Sequence, residues 1–258
     1  MASTYLEEEA YVDVYLADHM PRNLYPYRLQ QIKFASPTTA ARSTKHILDS
    51  SINRDTDNVD IYEKAKYFDV DVVVPTDEIH DPDTTETKVL SMMEMVDGDG
   101  IRCIVPIQST DTQTHTESTD KMIDTIEDAG FSHLVERYAI GGVKDLPVKE
   151  QLDIVTETTQ HHRNLDWHIF GAGMCKEWVL YIRQYPERLT SIDMATPIYV
   201  STNNRTMDYQ FAQTDMPKPG GTNVSTVNAR HIEYLTTNFN YMISDGPNDT
   251  EVEEILGQ

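Results

Sequence analysis

From Lys45 onward the chain repeats one pattern: a short apolar run, then a longer polar segment with apolar residues at helical spacing. The runs are His46–Ser50, Val70–Asp77, Arg102–Gln108, Leu134–Val143, Trp167–Gly173 and Leu189–Ala195. The segments after the first five are Val59–Tyr67, Thr84–Val96, Glu117–Ala129, Leu146–His161 and Lys176–Tyr185. Strand alternating with helix implies parallel pairing, because a parallel neighbour needs a long crossover. Near-continuous apolar strands imply a sheet covered on both faces. Eight such units close into a TIM-like (β/α)8 barrel, an architecture of about 250 residues, which the 258 residues match. An open doubly wound sheet is weakened by the lack of a glycine-rich phosphate loop after the first strand.

No linker or internal repeat divides the chain, so residues 1–258 are expected to form one barrel domain. Residues 45–197 hold the clear units. Residues 1–44 carry N-terminal elements: a short helix within Tyr5–Tyr11, and Leu24–Phe34 as strand or helix. Residues 198–258 are expected to supply the closing units and a tail, with a loop at Pro217–Gly221.

Charge is the outlying property. Asp and Glu number 43 against 21 Lys and Arg, a formal net charge of −22. A partner rich in phosphate usually calls for the opposite balance. Two readings compete: the partner is not a nucleic acid, or the protein works in high salt, which screens long-range repulsion, and the second is favoured. The acidic residues are spread along the chain and mixed with threonine, and lysine is scarce. This composition resembles that of haloarchaeal proteins and their viruses.

Cys103 and Cys175 are too few for a disulfide scaffold or a cysteine-rich zinc site. The chain opens without a signal peptide and has no apolar run of membrane-spanning length. A cytoplasmic location is expected, in the host cytoplasm if the protein is viral, with no membrane partner. The sequons at Asn204, Asn223 and Asn248 are then chance matches.

Parallel α/β folds place their chemistry at the carboxyl ends of the strands. There the chain puts Asp49, Asp77, Gln108, Gly141 with Gly142, Gly171 with Gly173, and Asp193. Taken singly, each has an ordinary account as a helix cap or a turn. Taken together they are a set. Two aspartates in one barrel mouth suit displacement at a sugar carbon: one attacks C1′ and the other moves the proton. An Asp, a Gln and backbone groups also suit the edge of a purine.

The ordered motifs Tyr138-Ala139-Ile140-Gly141-Gly142-Val143, Phe170-Gly171-Ala172-Gly173 and Ser191-Ile192-Asp193 resemble the C-terminal half of the tRNA-guanine transglycosylase barrel. Upstream, Leu48-Asp49-Ser50-Ser51 resembles that family's Asp-Ser-Gly element, and Ile104-Val105-Pro106-Ile107-Gln108 its Ile-Val-Gln-Gly strand. The likeness covers about residues 45–197. It implies that Asp193 is the nucleophile and Asp49 the general acid/base. It implies that Asp77 and Gln108 read the Watson–Crick edge of the base. Gly141, Gly142, the carbonyl of Val143 and Gly171 would give backbone contacts, and Phe170 would lie against the base plane.

The departures are also informative. The family's Asp-Ser-Gly-Gly-aromatic run is Asp49-Ser50-Ser51-Ile52-Asn53, and its Gln-Gly pair is Gln108-Ser109. The zinc-binding insertion is absent, as is an appended RNA-binding domain. A short form without the insertion resembles the DpdA-type DNA-guanine transglycosylases. The implied activity is exchange of guanine in DNA for a 7-deazaguanine, through a glycosyl-aspartate intermediate. The partners would be DNA with its guanine flipped out and a free 7-deazaguanine base. Neither ATP nor a redox cofactor is required. Exchange in tRNA is the alternative, and a non-catalytic nucleobase-binding barrel the second. A metal-dependent barrel hydrolase would need histidines at the strand ends, where carboxylates, an amide and glycines stand instead.

The remaining features read as structural. Asp97-Gly98-Asp99-Gly100 is a turn rather than a calcium loop. His80, with Asp81 and Asp83 nearby, follows a strand and reads either as part of a capping loop or as a contact to substrate. His161 and His162 form a solvated helix end, because neighbours on a helix point different ways. Met92, Met93, Met95, Trp167 and Trp178 are core. Arg54, Lys144, Lys176 and Arg205 are candidates for phosphate contact by position alone.

Overall fold

The computed structural model describes residues 12–17, 25–50, 56–109, 112–203, 205–207, 211–215, 224–244 and 248–256. Eight parallel strands close into a barrel in simple sequential order. They are β1 (Asp13–Ala17), β2 (Tyr27–Gln31), β3 (Lys45–Asp49), β4 (Val72–Val73), β5 (Arg102–Gln108), β6 (Val135–Gly141), β7 (Trp167–Ile169) and β8 (Ser191–Met194). Closure is made by β8 against β1, with Val14 opposite Ile192 and Tyr15 opposite Asp193. The (β/α)8 expectation is therefore correct.

The source of the last two strands is not as expected. β1 and β2 come from the N-terminal region, and no described residue of 198–258 enters the barrel. The signal was weak because β2 is Tyr-Arg-Leu-Gln-Gln, with Arg28 and Gln30 fully buried on its outer side. Arg28 stays soluble in that setting by donating from Nε to the Tyr25 carbonyl at 2.9 Å. The stretch Leu24–Phe34 thus contains a strand and then a single 3₁₀ turn at Ile32–Phe34, residue 24 lying outside the described residues. The expected helix in Tyr5–Tyr11 and the loop at Pro217–Gly221 also lie outside them.

The helices wrap the barrel: α1 (Pro37–Ala40), α2 (Asn58–Phe68), α3 (Pro82–Val96), α4 (Thr112–Asp128), α5 (Val148–His161), α6 (Lys176–Gln184), α7 (Thr196–Thr202), α8 (Val224–Ile243) and α9 (Asp249–Leu256). Local chemistry sets their starts. Ser36, Asp57 and Asp81 each accept from a backbone N–H in the first turn, and Pro37 and Pro82 follow two of these caps. Asp69 ends α2 in the left-handed conformation. Asn248 and Glu251 bond reciprocally at 3.0 Å before α9, a capping box at the one described sequon.

The tail covers the closing seam. Leu16 and Tyr25 pack with Ile198 of α7 and Ile232 of α8. Tyr25 donates to the Val14 carbonyl at 2.9 Å and accepts from Asn240 at 2.6 Å. A small hairpin, β9 (Arg205–Met207) with β10 (Gln213–Asp215), stands apart from the barrel. No described helix is long and apolar enough to cross a membrane.

Two packed layers result. The outer one holds Met92, Met93 and Trp178, all fully buried, and Trp167 at 1% exposure. The inner one is Tyr15, Leu29, Ile47, Val74, Ile104 and Ala139, against which Phe170 packs. Inward residues recur every second position along a strand. On β7 and β8 that spacing gives His168 and Ser191 the inward places, so the barrel lining turns polar on one side.

Candidate active site

Because the strands are parallel and the barrel closed, their carboxyl ends share one rim. Asp49 ends β3, Asp77 follows β4, Gln108 ends β5, Gly141 ends β6, Phe170 and Gly171 follow β7, and Asp193 lies in β8. The structure joins most of them directly. Gln108 donates from Nε2 to Asp77 Oδ2 in a short hydrogen bond. Gln108 Oε1 is buried and has no hydrogen-bond partner among the described residues. A buried acceptor without a donor costs about 1–3 kcal/mol, so it marks a place where a ligand N–H is welcome.

The glycines make room for that amide. A Cβ on Gly141 would stand 2.6 Å from Gln108 Nε2. Gly142 has φ +71°, and a Cβ there would stand 2.6 Å from the Ser109 carbonyl and 3.0 Å from Gln108 Oε1. His115 Nε2 donates to the Gly141 carbonyl at 3.1 Å. Val143 is buried in the outer core, and its carbonyl accepts from Leu146 N at 3.0 Å. Gly142 stands directly beside Gln108. Gln151 pins the loop after Gly142, donating to the carbonyls of Leu146 at 2.9 Å and Lys144 at 3.3 Å. Ser109 turns its hydroxyl to Thr114 of α4 at 2.5 Å.

Asp193 is held by one of its two oxygens. Oδ1 accepts from Gly171 N at 2.9 Å and from His168 Nε2 at 3.3 Å. Gly171 reaches this pose at φ +70°, a conformation that favours glycine. Among the described residues no hydrogen bond falls on Oδ2. His168, fully buried and absent from the expected site, is the main addition. Its Nδ1 meets Ser191 Oγ at 2.7 Å, and that oxygen accepts from Arg137 at 2.6 Å. The direction of the chain follows from its ends. Arginine only donates and a carboxylate only accepts. Ser191 therefore gives its proton to Nδ1, and Nε2–H points at Asp193. Arg137 is anchored in turn by Glu136 at 2.8 Å, which also pairs with Arg102 at 2.6 Å.

The electrostatics separate the carboxyls. Burial, then the negative charges of Asp193 and Asp77, hold the Asp49 pKa well above the ordinary aspartate value, outweighing bonds from Ser50. Asp49 therefore carries its proton at a pH where an exposed aspartate has lost it. Asp77 is also raised, by burial, with the Gln108 bond opposing. Burial holds the His168 pKa below the ordinary histidine value, against the pull of Asp193.

Other candidates have structural places. Asp81 caps α3, and His80 precedes it at φ +65°. Gly98 and Gly100 sit at positive φ in a turn whose Asp99 takes Tyr62 and Lys66. Arg205 pairs with Asp215 at 3.6 Å. Lys144 stands at the rim, where a Cβ on Gly171 would meet its stem at 3.4 Å. Lys176 begins α6. Ser51, Ile52, Asn53 and Arg54 lie outside the described residues.

A scan against protein-family models gave no match to this chain, and a search of curated proteins gave none either.

Proposed function

We propose that the chain is a guanine transglycosylase that replaces guanine in DNA by a 7-deazaguanine. One observation carries this reading: Asp49, whose pKa is raised by burial and by the charge of Asp193, shares the barrel mouth with an Asp193 that is gripped by a single oxygen. That is an acid and a nucleophile in one mouth, with environments that push their roles apart. The Asp77–Gln108 pair beside them offers a carboxyl and an unpartnered carbonyl to the hydrogen-bonding edge of a purine.

In this reading Asp193 Oδ2 attacks C1′ of a flipped-out deoxyguanosine. The C1′–N9 bond breaks, its electron pair goes to the base, and Asp49 supplies the proton that leaves guanine neutral. A deoxyribosyl ester on Asp193 remains. The incoming 7-deazaguanine returns its N9 proton to Asp49 and attacks C1′, and the ester oxygen leaves. Each bond made matches one broken, so no ATP or redox cofactor enters. Gly171 N–H and His168 stabilise the carboxylate as it departs.

The polymer is read from the missing zinc-binding insertion, with tRNA as the alternative. The test is incubation with labelled guanine or a 7-deazaguanine and either DNA or tRNA, in molar salt. Label in DNA supports the proposal. Label in tRNA alone reassigns the polymer. Label in neither, together with no base binding by calorimetry, sinks the enzyme reading in favour of a non-catalytic barrel.

A further inference from the structure

Away from the barrel mouth, three metal-ligating side chains converge on the outer surface. Asp120 of α4, His161 at the last position of α5 and His162 just after it each place a ligand atom within 4.8 Å of the others. His162 Nε2 stands 3.4 Å from Asp120 Oδ1, and His161 Nε2 stands 3.8 Å from the same oxygen. Adjacent residues inside a helix diverge by about 100°, since a turn takes about 3.6 residues. The expectation that these histidines point apart fails here because the helix ends between them. His162 leaves it at φ −114°, ψ 63°, and its ring meets that of His161 at a centroid distance of 4.7 Å.

His162 is prepared for a ligand role by its surroundings. Its Nε2 is buried without a hydrogen-bond partner among the described residues. Trp167 Nε1 donates to the His162 carbonyl at 3.2 Å and steadies the backbone there. His162 Nε2 stands 3.4 Å from Asp120 Oδ1, beyond the usual range of about 2.7–3.2 Å for a hydrogen bond and close to the spacing of two ligands on one cation.

We propose that Asp120, His161 and His162 bind a zinc-type divalent cation, with water completing a tetrahedral shell. Zinc–nitrogen and zinc–oxygen distances of about 2.0–2.1 Å place tetrahedral ligands about 3.3–3.4 Å apart. The His162–Asp120 separation already fits. His161 and Asp120 are more than half exposed and free of tight packing, so a small rotation brings the third ligand in. Two imidazoles with one carboxylate select a borderline transition metal over magnesium or calcium, which prefer oxygen. The cation would clip α4 to the end of α5, just before the loop that leads into β7 and His168. This lies at the amino-terminal end of the barrel strands, where features serve stability more than chemistry. The proposal does not depend on the transglycosylase reading.

The test is calorimetric titration of the chelator-treated full chain with zinc chloride, alongside magnesium chloride, with melting temperature followed in parallel. A single zinc per chain and a raised melting temperature are expected. Asp120→Asn and His161→Gln should each weaken zinc binding by about 10-fold or more, the scale on which even outer-shell partners act. His161 is exposed, so His161→Gln keeps its fold if His162→Gln does not. Zinc uptake unchanged in these variants, or zinc bound no more tightly than magnesium, would overturn the proposal and indicate diffuse binding to the acidic surface.

Discussion

His168 Nε2 meets Asp193 Oδ1 at 3.3 Å, between neighbouring strands β7 and β8, inside the barrel and below its mouth. The contact is the upper end of a buried chain that runs Arg137, Ser191, His168, Asp193. A carboxylate that must attack a sugar carbon needs its free oxygen aimed, and this chain fixes the other one.

His168 is a positioning residue on this account. His168→Phe keeps bulk beside Tyr15 and Phe170, whose rings lie 6.2 and 4.9 Å away, but removes the donor. Exchange should lose about 10²-fold in kcat, the scale on which a misplaced reacting group acts, with KM for the free base little changed. His168→Gln, which restores an N–H, should recover part of the loss. Ser191→Ala should leave the Arg137 donor unpaired, cost about 1–3 kcal/mol of stability, and lower kcat through the same route. Equal losses in kcat for His168→Phe and His168→Gln would argue for a merely structural histidine.

Asp49 sets the pH dependence. Its folded pKa is raised, so its proton is bound more tightly in the fold than in the unfolded chain. That contribution is complete below the unfolded value of about 3.9 and is lost as pH rises through the folded pKa. Asp49→Asn, which cannot ionise, should therefore gain stability relative to the parent over that window and hold the gain above it. Denaturant titrations at pH 4 and pH 8 would show the difference growing. Exchange should fall by about 10²–10⁴-fold in the same variant, as expected for loss of a general acid. In the parent, exchange should fall on the alkaline side. Asp77→Asn removes one of the charges that raise Asp49 and should move that alkaline limb to lower pH.

Gly142→Ala probes the base edge. At φ +71°, with a Cβ that would stand 2.6 Å from the Ser109 carbonyl, alanine should cost about 1–3 kcal/mol. The backbone shift it forces should also displace Gln108. Binding of free guanine, measured by calorimetry, should weaken more than tenfold while the barrel still melts cooperatively. Unweakened binding would remove Gln108 from the base-reading set.

Much of this arrangement was legible from residues alone. Asp49, Gln108 and Asp193 each follow a clear apolar run, so strand-end logic alone put them on one rim. What strand-end logic cannot see is the barrel's inside. His168 sits one residue into Trp167-His168-Ile169-Phe170, and Ser191 stands two before Asp193, the spacing that shares a face. That spacing was the available signal, and an apolar strand with one inward polar residue hides it well. Arg137 was masked in the same way within Glu136-Arg137-Tyr138-Ala139. β2 stayed ambiguous between strand and helix because buried Arg28 and Gln30 break the apolar run that marks the other strands, and the five residues of β1 were not read as a strand. His161 and His162 needed the helix end to be located to within a residue, which periodicity does not provide.

Salt should matter to the whole molecule. With a net charge of −22, the folded chain repels itself. Screening with a Debye length of about 3 Å at 1 M salt relieves that repulsion. The melting temperature should rise from 0.1 M to 1 M potassium chloride, and DNA binding should persist at the higher concentration. A melting temperature independent of salt would count against the haloadapted reading of the surface.

If Asp193 is the nucleophile, it becomes covalently attached to a deoxyribose. Mixing the chain with guanine-containing DNA, without added free base, denaturing, and locating any adduct by peptide mass spectrometry reads this out. A DNA adduct is expected on the peptide spanning Asp193, absent in Asp193→Ala, and discharged in the native complex by a 7-deazaguanine. An adduct that survives Asp193→Ala, or exchange that proceeds in that variant, would contradict that role.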